Sequence, residues 1–304
     1  MKGPRRPGLH QSPAHEGHKS DEMVASLVRL AIWEDIGPGD ATSLTVVPED
    51  AHATAELLAK EGGVLSGLRA AMAAIDAVDP SVRVRLIKED GDVFAAGEFL
   101  LLMEGNARSL LTVERVLVNF LQRLSGVATM ARRFVQKVEG TGVAVVDTRK
   151  TTPGFRFLQK EAVVHGGGAN HRMGLYDAYM IKDNHIIAAG GITAAVDRAR
   201  SGPDLFMIVE VRTPEEVREA AALEVDQLLL DNMSPEEIRS SIDVIRKIEA
   251  ERDLHRAWIE VSGGITLDTI RSKAVPGVDI ISIGALTHSA PSVDLSLDFR
   301  LAKS

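Results

Sequence analysis

The charged residues of this chain that could do chemistry gather where apolar runs stop. Val143–Val146 is followed by Asp147, Thr148, Arg149 and Lys150, and Ala178–Ile181 by Lys182, Asp183, Asn184 and His185. Leu205–Val211 contains Glu210 and leads to Arg212; Gln227–Leu230 leads to Asp231 and Asn232. Trp258–Val261 contains Glu260 and leads to Ser262, Gly263 and Gly264, while Val278–Ile283 leads to Gly284 and Ala285. His171 and Arg172 stand in the loop before the second run. Ordinary turns would use Gly, Asn or Asp at such places. Arg149, Lys150, Arg172 and Lys182 are cations suited to anions, the arginines taking carboxylates through paired hydrogen bonds. Glu210 and Asp231 are hard oxygen ligands of the kind that holds Mg²⁺ together with waters and substrate phosphates. Ser262-Gly263-Gly264, ahead of a helical pattern, can offer backbone N–H groups to a phosphate, and Gly284 allows close backbone approach. The set points to a phosphorylated, multiply anionic substrate with Mg²⁺.

These residues need a frame that brings them together. The six runs are apolar on both faces, as parallel strands covered by helices require. Helical patterns at Ile192–Arg200, Pro214–Leu223, Pro235–Arg252 and Leu267–Lys273 connect them. Pro214 and Pro235 fall in first turns, after Thr213 and Ser234 as N-caps. The fold class is therefore α/β, built on βα repeats whose strand C-termini carry the chemistry. A full eightfold barrel takes about 250 residues, so a reduced barrel of about six strands or an open doubly wound sheet fits. The region before it, 21–140, reads as a mixed α/β domain. It holds a helix over Asp21–Asp35, strands at Thr54–Lys60, Val82–Lys88 and Glu98–Glu104, and a helical stretch over Ala107–Val138 that breaks near Ser125-Gly126.

The net charge of −8 argues against a nucleic-acid or anionic-membrane binder, so the cations must act locally. There is no cysteine, which removes disulfides, thiolate nucleophiles and Cys-ligated metals and fits a cytoplasmic location. No apolar run is long enough to span a bilayer. Residues 1–20 are polar, basic and proline-rich and read as a disordered tail. Its His10, His15 and His18 are metal candidates only against the plainer reading of a solvated tail. Plainer readings stand elsewhere too. Arg149 and Lys150 could pair with Asp147 and Asp183 as a structural network, and His171 could be a packing residue. Gly166-Gly167-Gly168 reads as a helix stop, because no GKS/T follows it. Met173 and Tyr176 read as packing residues.

The stretch "DTRKTTPGFRFLQKEAVVHGGGANHRMGLYDAYMIKDNH" closely resembles the signature of the quinolinate phosphoribosyltransferase family, the carboxylating nicotinate-nucleotide pyrophosphorylases. The similarity continues through "IVEVRTPEE", "LLLDNMSPEEIR", "EVSGGI" and "ISIGALTHSAPSVDLSLDF", and upstream in "EDIGPGDATS" and "ERVLVNFLQRLSGVAT". It implies an N-terminal α/β sandwich, rejoined by the segment 288–304, and a six-stranded barrel over 141–287. It also implies a homodimer with shared active sites. By the same resemblance, substrate contacts fall on Arg115 (from the partner subunit), Thr148, Arg149, Lys150, His171, Arg172, Lys182, Glu210, Asp231, Ser262, Gly263, Gly264, Ile283, Gly284, Ala285 and His288. Lys150, Lys182, Glu210 and Asp231 are the catalytic set, with Glu210 and Asp231 toward Mg²⁺, directly or through water. The implied reaction joins quinolinate to phosphoribosyl pyrophosphate, giving nicotinate mononucleotide, pyrophosphate and CO2. Arg212 departs from the family pattern, which implies an acidic residue there. Three rivals stand beside this reading: a Schiff-base aldolase built on Lys182, a paralogue of the same fold that takes a different nitrogen base, and a phosphate-ligand sensor that binds without turnover.

Overall fold

The structure, a computed structural model, describes residues 17–301. His10 and His15, and most of the segment read as a tail, lie outside the described residues, as does the side chain of His18. The chain divides into two compact units, one of residues 17–132, 151–167 and 285–301, the other of 133–150 and 168–284.

The first unit is an antiparallel sheet with helices. It opens with α1 (Gly17–Ile36) and α2 (Ala41–Val46), the latter capped by Asp40, whose carboxylate accepts from the Thr42 and Ser43 amides. There follow β1 (His52–Ala59), β2 (Gly63–Val64), α3 (Leu68–Val78), β3 (Arg83–Leu86), β4 (Val93–Phe94), β5 (Phe99–Asn106) and α4 (Ala107–Lys137). Ala53, Ala55, Leu57 and Ala59 alternate into the core from β1, the period-two pattern of a strand with one buried face. The last strand of the chain, β12 (Leu295–Leu301), pairs with β1 from Ala59↔Leu295 to Ala53↔Leu301, giving the order β12-β1-β5-β3. The C-terminal segment thus returns to the N-terminal sheet, as the family resemblance implies.

Two expectations need correction. α4 is one unbroken helix of 31 residues, not two. Ser125 and Gly126 serve close packing instead of a break. The Ser125 hydroxyl accepts the buried Ser66 amide at 3.0 Å. A Cβ on Gly126 would lie 2.0 Å from the Pro291 carbonyl oxygen. In addition, the helix α5 (Arg156–His165), which lies in sequence where a barrel would place its first helix, groups with this unit. Neither α3 nor α5 stands out in the sequence: α3 buries mostly alanine, and α5 buries Gln159 and Lys160 alongside its apolar residues. The glycines after α5 do stop it. Gly166 and Gly167 donate to the Ala162 and Val164 carbonyls, with Gly167 at φ 88°.

The second unit alternates strand and helix. Its elements are β6 (Ala144–Val146), β7 (Ala178–Ile181), α6 (Asp183–Ala189), α7 (Ile192–Arg200), β8 (Phe206–Val211), α8 (Pro214–Ala221), β9 (Gln227–Asp231), α9 (Pro235–Arg252), β10 (Trp258–Ser262), α10 (Ile270–Lys273) and β11 (Ile280–Ser282). The remaining short helix, α11 (Ala285–His288), belongs to the first unit. Thr213 and Ser234 each form a capping box, with Glu216 and Glu237, just before Pro214 and Pro235, as the sequence predicts. The six strands are parallel in the order β6-β11-β10-β9-β8-β7. Each strand from β7 to β11 pairs with its successor in sequence, and β6 follows β11. A doubly wound sheet would reverse direction from a central strand; this order never reverses, which is the rule of a barrel. Between β6 and β7 the ring is filled by the segment before β7: the Ala169 amide donates to the Val145 carbonyl, and the Asp147 amide to the Ala169 carbonyl.

Candidate functional site

Register decides which side chains share a face. Glu210 and Glu260 both pair with Leu229, so the three lie in one row across β8, β9 and β10. Residues two further on point the same way, which adds Arg212, Asp231 and Ser262. An apolar sheet therefore presents one polar row on one face.

The acids in this row are already engaged. Glu210, 5 % exposed, accepts from Arg212 Nη2 at 2.8 Å through Oε1 and lies 3.3 Å from Lys182 Nζ through Oε2. Arg212 also donates from Nε to Asp231 Oδ2 at 3.1 Å and from Nη1 to Asp183 Oδ2 at 2.9 Å. Desolvation works against the guanidinium, but Glu210, Asp231 and Asp183 outweigh it and raise Arg212 above its ordinary pKa. Asp183, the first residue of α6, is held below the usual carboxylate range, chiefly by the Asn184 amide, with Arg212 assisting against a small desolvation effect. Asp231 Oδ2 accepts a further bond from the Asn232 side chain at 2.9 Å. Asp183 thus pairs with Arg212, and the Asp147 carboxylate accepts from Asn170 Nδ2 at 2.6 Å and the His171 amide at 3.0 Å.

The second cluster holds the cations Arg149 and Arg172. Asp147 is fully buried and fastens the segment that carries His171 and Arg172 to the end of β6. Arg172 is 9 % exposed, donates from Nη1 to the Ala178 carbonyl at 2.9 Å, and has a buried Nε with no hydrogen-bond partner. Burial first, and the neighbouring Arg149 second, push this guanidinium below its ordinary pKa, with Asp177 and Glu260 opposing. Thr148 Oγ1 accepts the Lys150 amide at 3.0 Å, which shapes the turn that presents Arg149.

His171, read in the sequence as a substrate contact, is bonded within the protein at both ring nitrogens. Its Nδ1 accepts the Arg172 amide at 2.7 Å, so its Nε2 carries the proton and faces Glu260 Oε2 at 3.2 Å. Both ring nitrogens are spent inside the protein, and the imidazole becomes a strut behind Arg172. Glu260 is fully buried. Burial opposes its ionisation, but His171, with hydrogen bonds from Ser282 and Gln227, outweighs burial and holds the carboxyl below the usual range. Gln227 and Glu260 were the residues hardest to single out from sequence; the available signal was a carboxylate inside an apolar parallel strand, a placement that demands a partner.

The glycine loop differs from its expected form. α10 has four residues and starts at Ile270, so no helix N-terminus stands behind Gly264. The loop is shaped instead by left-handed residues: Gly263 at φ 90° and Gly264 at φ 60°. A Cβ on Gly263 would lie 2.1 Å from Asn232 Oδ1, so glycine lets this loop close on the end of β9. The Asn232 amide donates to the Ser262 carbonyl at 2.9 Å, joining the two strand ends. The buried Ile283 donates its amide to the Val146 carbonyl at 2.9 Å, tying this strand end to β6. Tyr176, expected to pack, is 60 % exposed. A cavity of about 290 Å³ beside β7 is lined by Arg172, Tyr179, His185 and Arg198 among apolar neighbours; of the predicted site residues only Arg172 reaches it. Arg115, on α4, together with Ala285 and His288 on α11, belongs to the first unit; the Arg115 side chain is 60 % exposed.

The acidic row already faces cations of the protein. Both Glu210 oxygens face cations, and Asp231 Oδ2 takes two donors. Among the described residues no group of three or more His, Cys, Asp or Glu is arranged to hold a metal ion. The donor set does not fit an ion held by the protein alone. Among the described residues, too, no helix is long and apolar enough to cross a membrane.

Comparison with known proteins identifies the family. Residues 40–125 match the quinolinate phosphoribosyl transferase N-terminal domain, and residues 127–298 the C-terminal domain. The probable nicotinate-nucleotide pyrophosphorylase [carboxylating] of Bacillus subtilis is 42% identical over 282 residues, covering 92% of this chain and 94% of that protein. The chloroplastic nicotinate-nucleotide pyrophosphorylase [carboxylating] of Arabidopsis thaliana is 40% identical, covering 90% of this chain and 82% of that protein. The solved nicotinate-nucleotide pyrophosphorylase of Francisella tularensis superposes with a TM-score of 0.86 at 38% identity, covering 92% of this chain and 97% of that one. With both domains matched and the fold shared end to end, the chain belongs to the quinolinate phosphoribosyl transferase family.

Proposed function

We propose that this chain transfers the phosphoribosyl group of phosphoribosyl pyrophosphate to quinolinate and releases pyrophosphate and CO2, leaving nicotinate mononucleotide for NAD synthesis. The observation that carries the reading is Arg172, a buried guanidinium with an unsatisfied Nε beside a second arginine. Such a pair is stabilised by a ligand that brings two carboxylates. Arg149 and Arg172 take these groups by charge-assisted hydrogen bonds, with Thr148, Lys150 and Lys182 assisting. His171 acts through Arg172. Arg115 is supplied by the partner of a cytoplasmic homodimer. Ser262, Gly263, Gly264, Ile283 and Gly284 receive the phosphate.

Glu210 and Asp231 orient the ribose hydroxyls; Mg²⁺ brought with the diphosphate would supply charge stabilisation to the leaving group. The ring nitrogen forms a bond to the anomeric carbon as the bond to pyrophosphate breaks, its electron pair leaving with the pyrophosphate. The product pyridinium then accepts the electrons of the breaking C2–carboxylate bond, so CO2 departs without a further cofactor. Lys182, held by Glu210 at 3.3 Å, delivers the proton that C2 then takes. Arginines must orient that carboxylate without binding it more tightly than the transition state, because only differential binding accelerates the step.

The test mixes the protein, Mg²⁺, phosphoribosyl pyrophosphate and quinolinate, and follows CO2 and nicotinate mononucleotide. Nicotinate replaces quinolinate in the control. Equal turnover of nicotinate would assign the site to a different base. Binding without turnover would make it a sensor, and borohydride trapping of a carbonyl substrate on Lys182 would favour the aldolase.

A further inference from the structure

We propose that Arg212 is a built-in counter-cation that stops Glu210, Asp231 and Asp183 from holding a divalent ion, so that the metal–diphosphate complex meets a wall whose charge the protein has already reduced to one net negative. The identity of the diphosphate rests on the function proposed above; the behaviour of the free protein does not.

The three carboxylates come from the ends of separate segments: β8, β9 and the first turn of α6. They face one guanidinium, which stands between them. Each of its three nitrogens takes a different carboxylate, at 2.8, 2.9 and 3.1 Å. Arg212 can do this because it is two residues beyond Glu210 on the same strand face and because its donors form a rigid planar fork. Lys182 adds the second cation at 3.3 Å from Glu210. Three carboxylates facing two cations leave one net negative charge; without Arg212 two would remain, enough to attract a divalent ion. A guanidinium does not lose its proton in proteins, so this neutralisation is present at every working pH and needs no added metal. Mg²⁺ by contrast demands a near-octahedral oxygen shell, which carboxylates turned toward the arms of Arg212 do not supply.

The test is Mn²⁺ binding to the full chain without substrates, followed by electron paramagnetic resonance. Wild type is expected to show no binding that depends on Glu210. Arg212→Gln is expected to bind Mn²⁺ at least about tenfold more tightly, since ligand charge count sets affinity at such sites. Arg212→Gln with Glu210→Gln should return to the wild-type level, which separates this site from Mn²⁺ bound elsewhere. Should Arg212→Gln not fold, Arg212→Lys retains the charge but satisfies fewer carboxylates, and should bind Mn²⁺ more tightly than wild type by a smaller factor. Wild-type binding that Glu210→Gln abolishes would overturn the proposal, as would unchanged affinity in the folded variants. A protein that makes no nucleotide yet shows the predicted Mn²⁺ pattern would refute the proposed function and leave Arg212's role standing.

Discussion

Arg172 and Arg212 belong to the same unit, yet their surroundings are opposite. Arg172 is buried, pressed by Arg149, and has an Nε with no hydrogen-bond partner. Arg212 is 47 % exposed at its side chain and bonded to three carboxylates. A buried cation with an unsatisfied donor is costly and gains from an arriving anion. A cation with all its arms engaged gains little from one and instead fixes its partners. Residue type alone would have called both anion binders; the environment separates a ligand-receiving arginine from a structural charge.

The largest effect should come from emptying the arginine cluster. Arg172→Ala is expected to lower kcat/KM for quinolinate by about 10²–10³-fold, the loss of one or two charge-assisted bonds at roughly 1.5–3 kcal/mol each. Its thermal midpoint should stay within a few degrees, because the deletion also relieves the repulsion from Arg149. A large stability loss with normal quinolinate kinetics would return these arginines to a structural network. Arg149→Ala should behave in the same way.

A smaller effect is expected from the strut behind Arg172. Glu260→Gln should cost about 1–3 kcal/mol of stability near neutral pH, the range for a mismatched buried hydrogen-bond group. It should raise KM for quinolinate more than it lowers kcat, since His171 and Glu260 position Arg172 without reaching the reacting atoms. The pH sign follows from the depressed folded pKa of Glu260. Its stabilising contribution is complete above the unfolded value of about 4.3 and is lost as pH falls through the lower folded value. The difference in thermal midpoint between wild type and Glu260→Gln should therefore narrow below about pH 4. A difference constant from pH 7 to pH 3 would contradict the charge assigned to Glu260.

Smallest is the effect on the acidic row from its edge. Gly263→Ala must displace Asn232, because the new Cβ would lie 2.1 Å from its Oδ1. It also places alanine at a φ of 90°, costing about 1–3 kcal/mol. Since Asn232 donates to Asp231, KM for phosphoribosyl pyrophosphate should rise severalfold while quinolinate binding in the absence of that cosubstrate is unchanged.

The frame of this comparison was legible in the sequence, and its wiring was not. Strands β6 to β11 follow from apolar runs between helical patterns, and the N-caps Thr213 and Ser234 ahead of proline mark where α8 and α9 begin. Arg212's partners lie 29 residues back, at Asp183, and 19 residues on, at Asp231, so only the closing of parallel strands brings them together. The same holds for His171 and Glu260, 89 residues apart. Gly126 looked like a helix break because a glycine's reason for being small, here the backbone at Pro291, need not be near it in sequence. The grouping of α5 with the first unit escapes any periodicity argument, since an amphipathic pattern gives a buried face but not what covers it.

The measurement that tests the contrast most directly is calorimetric titration of quinolinate into wild type, Arg172→Ala and Arg212→Gln under one buffer condition. The account predicts clear binding to wild type, loss of at least about tenfold in affinity, roughly 1.4 kcal/mol, for Arg172→Ala, and near wild-type affinity for Arg212→Gln. Retained affinity in Arg172→Ala, with loss in Arg212→Gln, would contradict it.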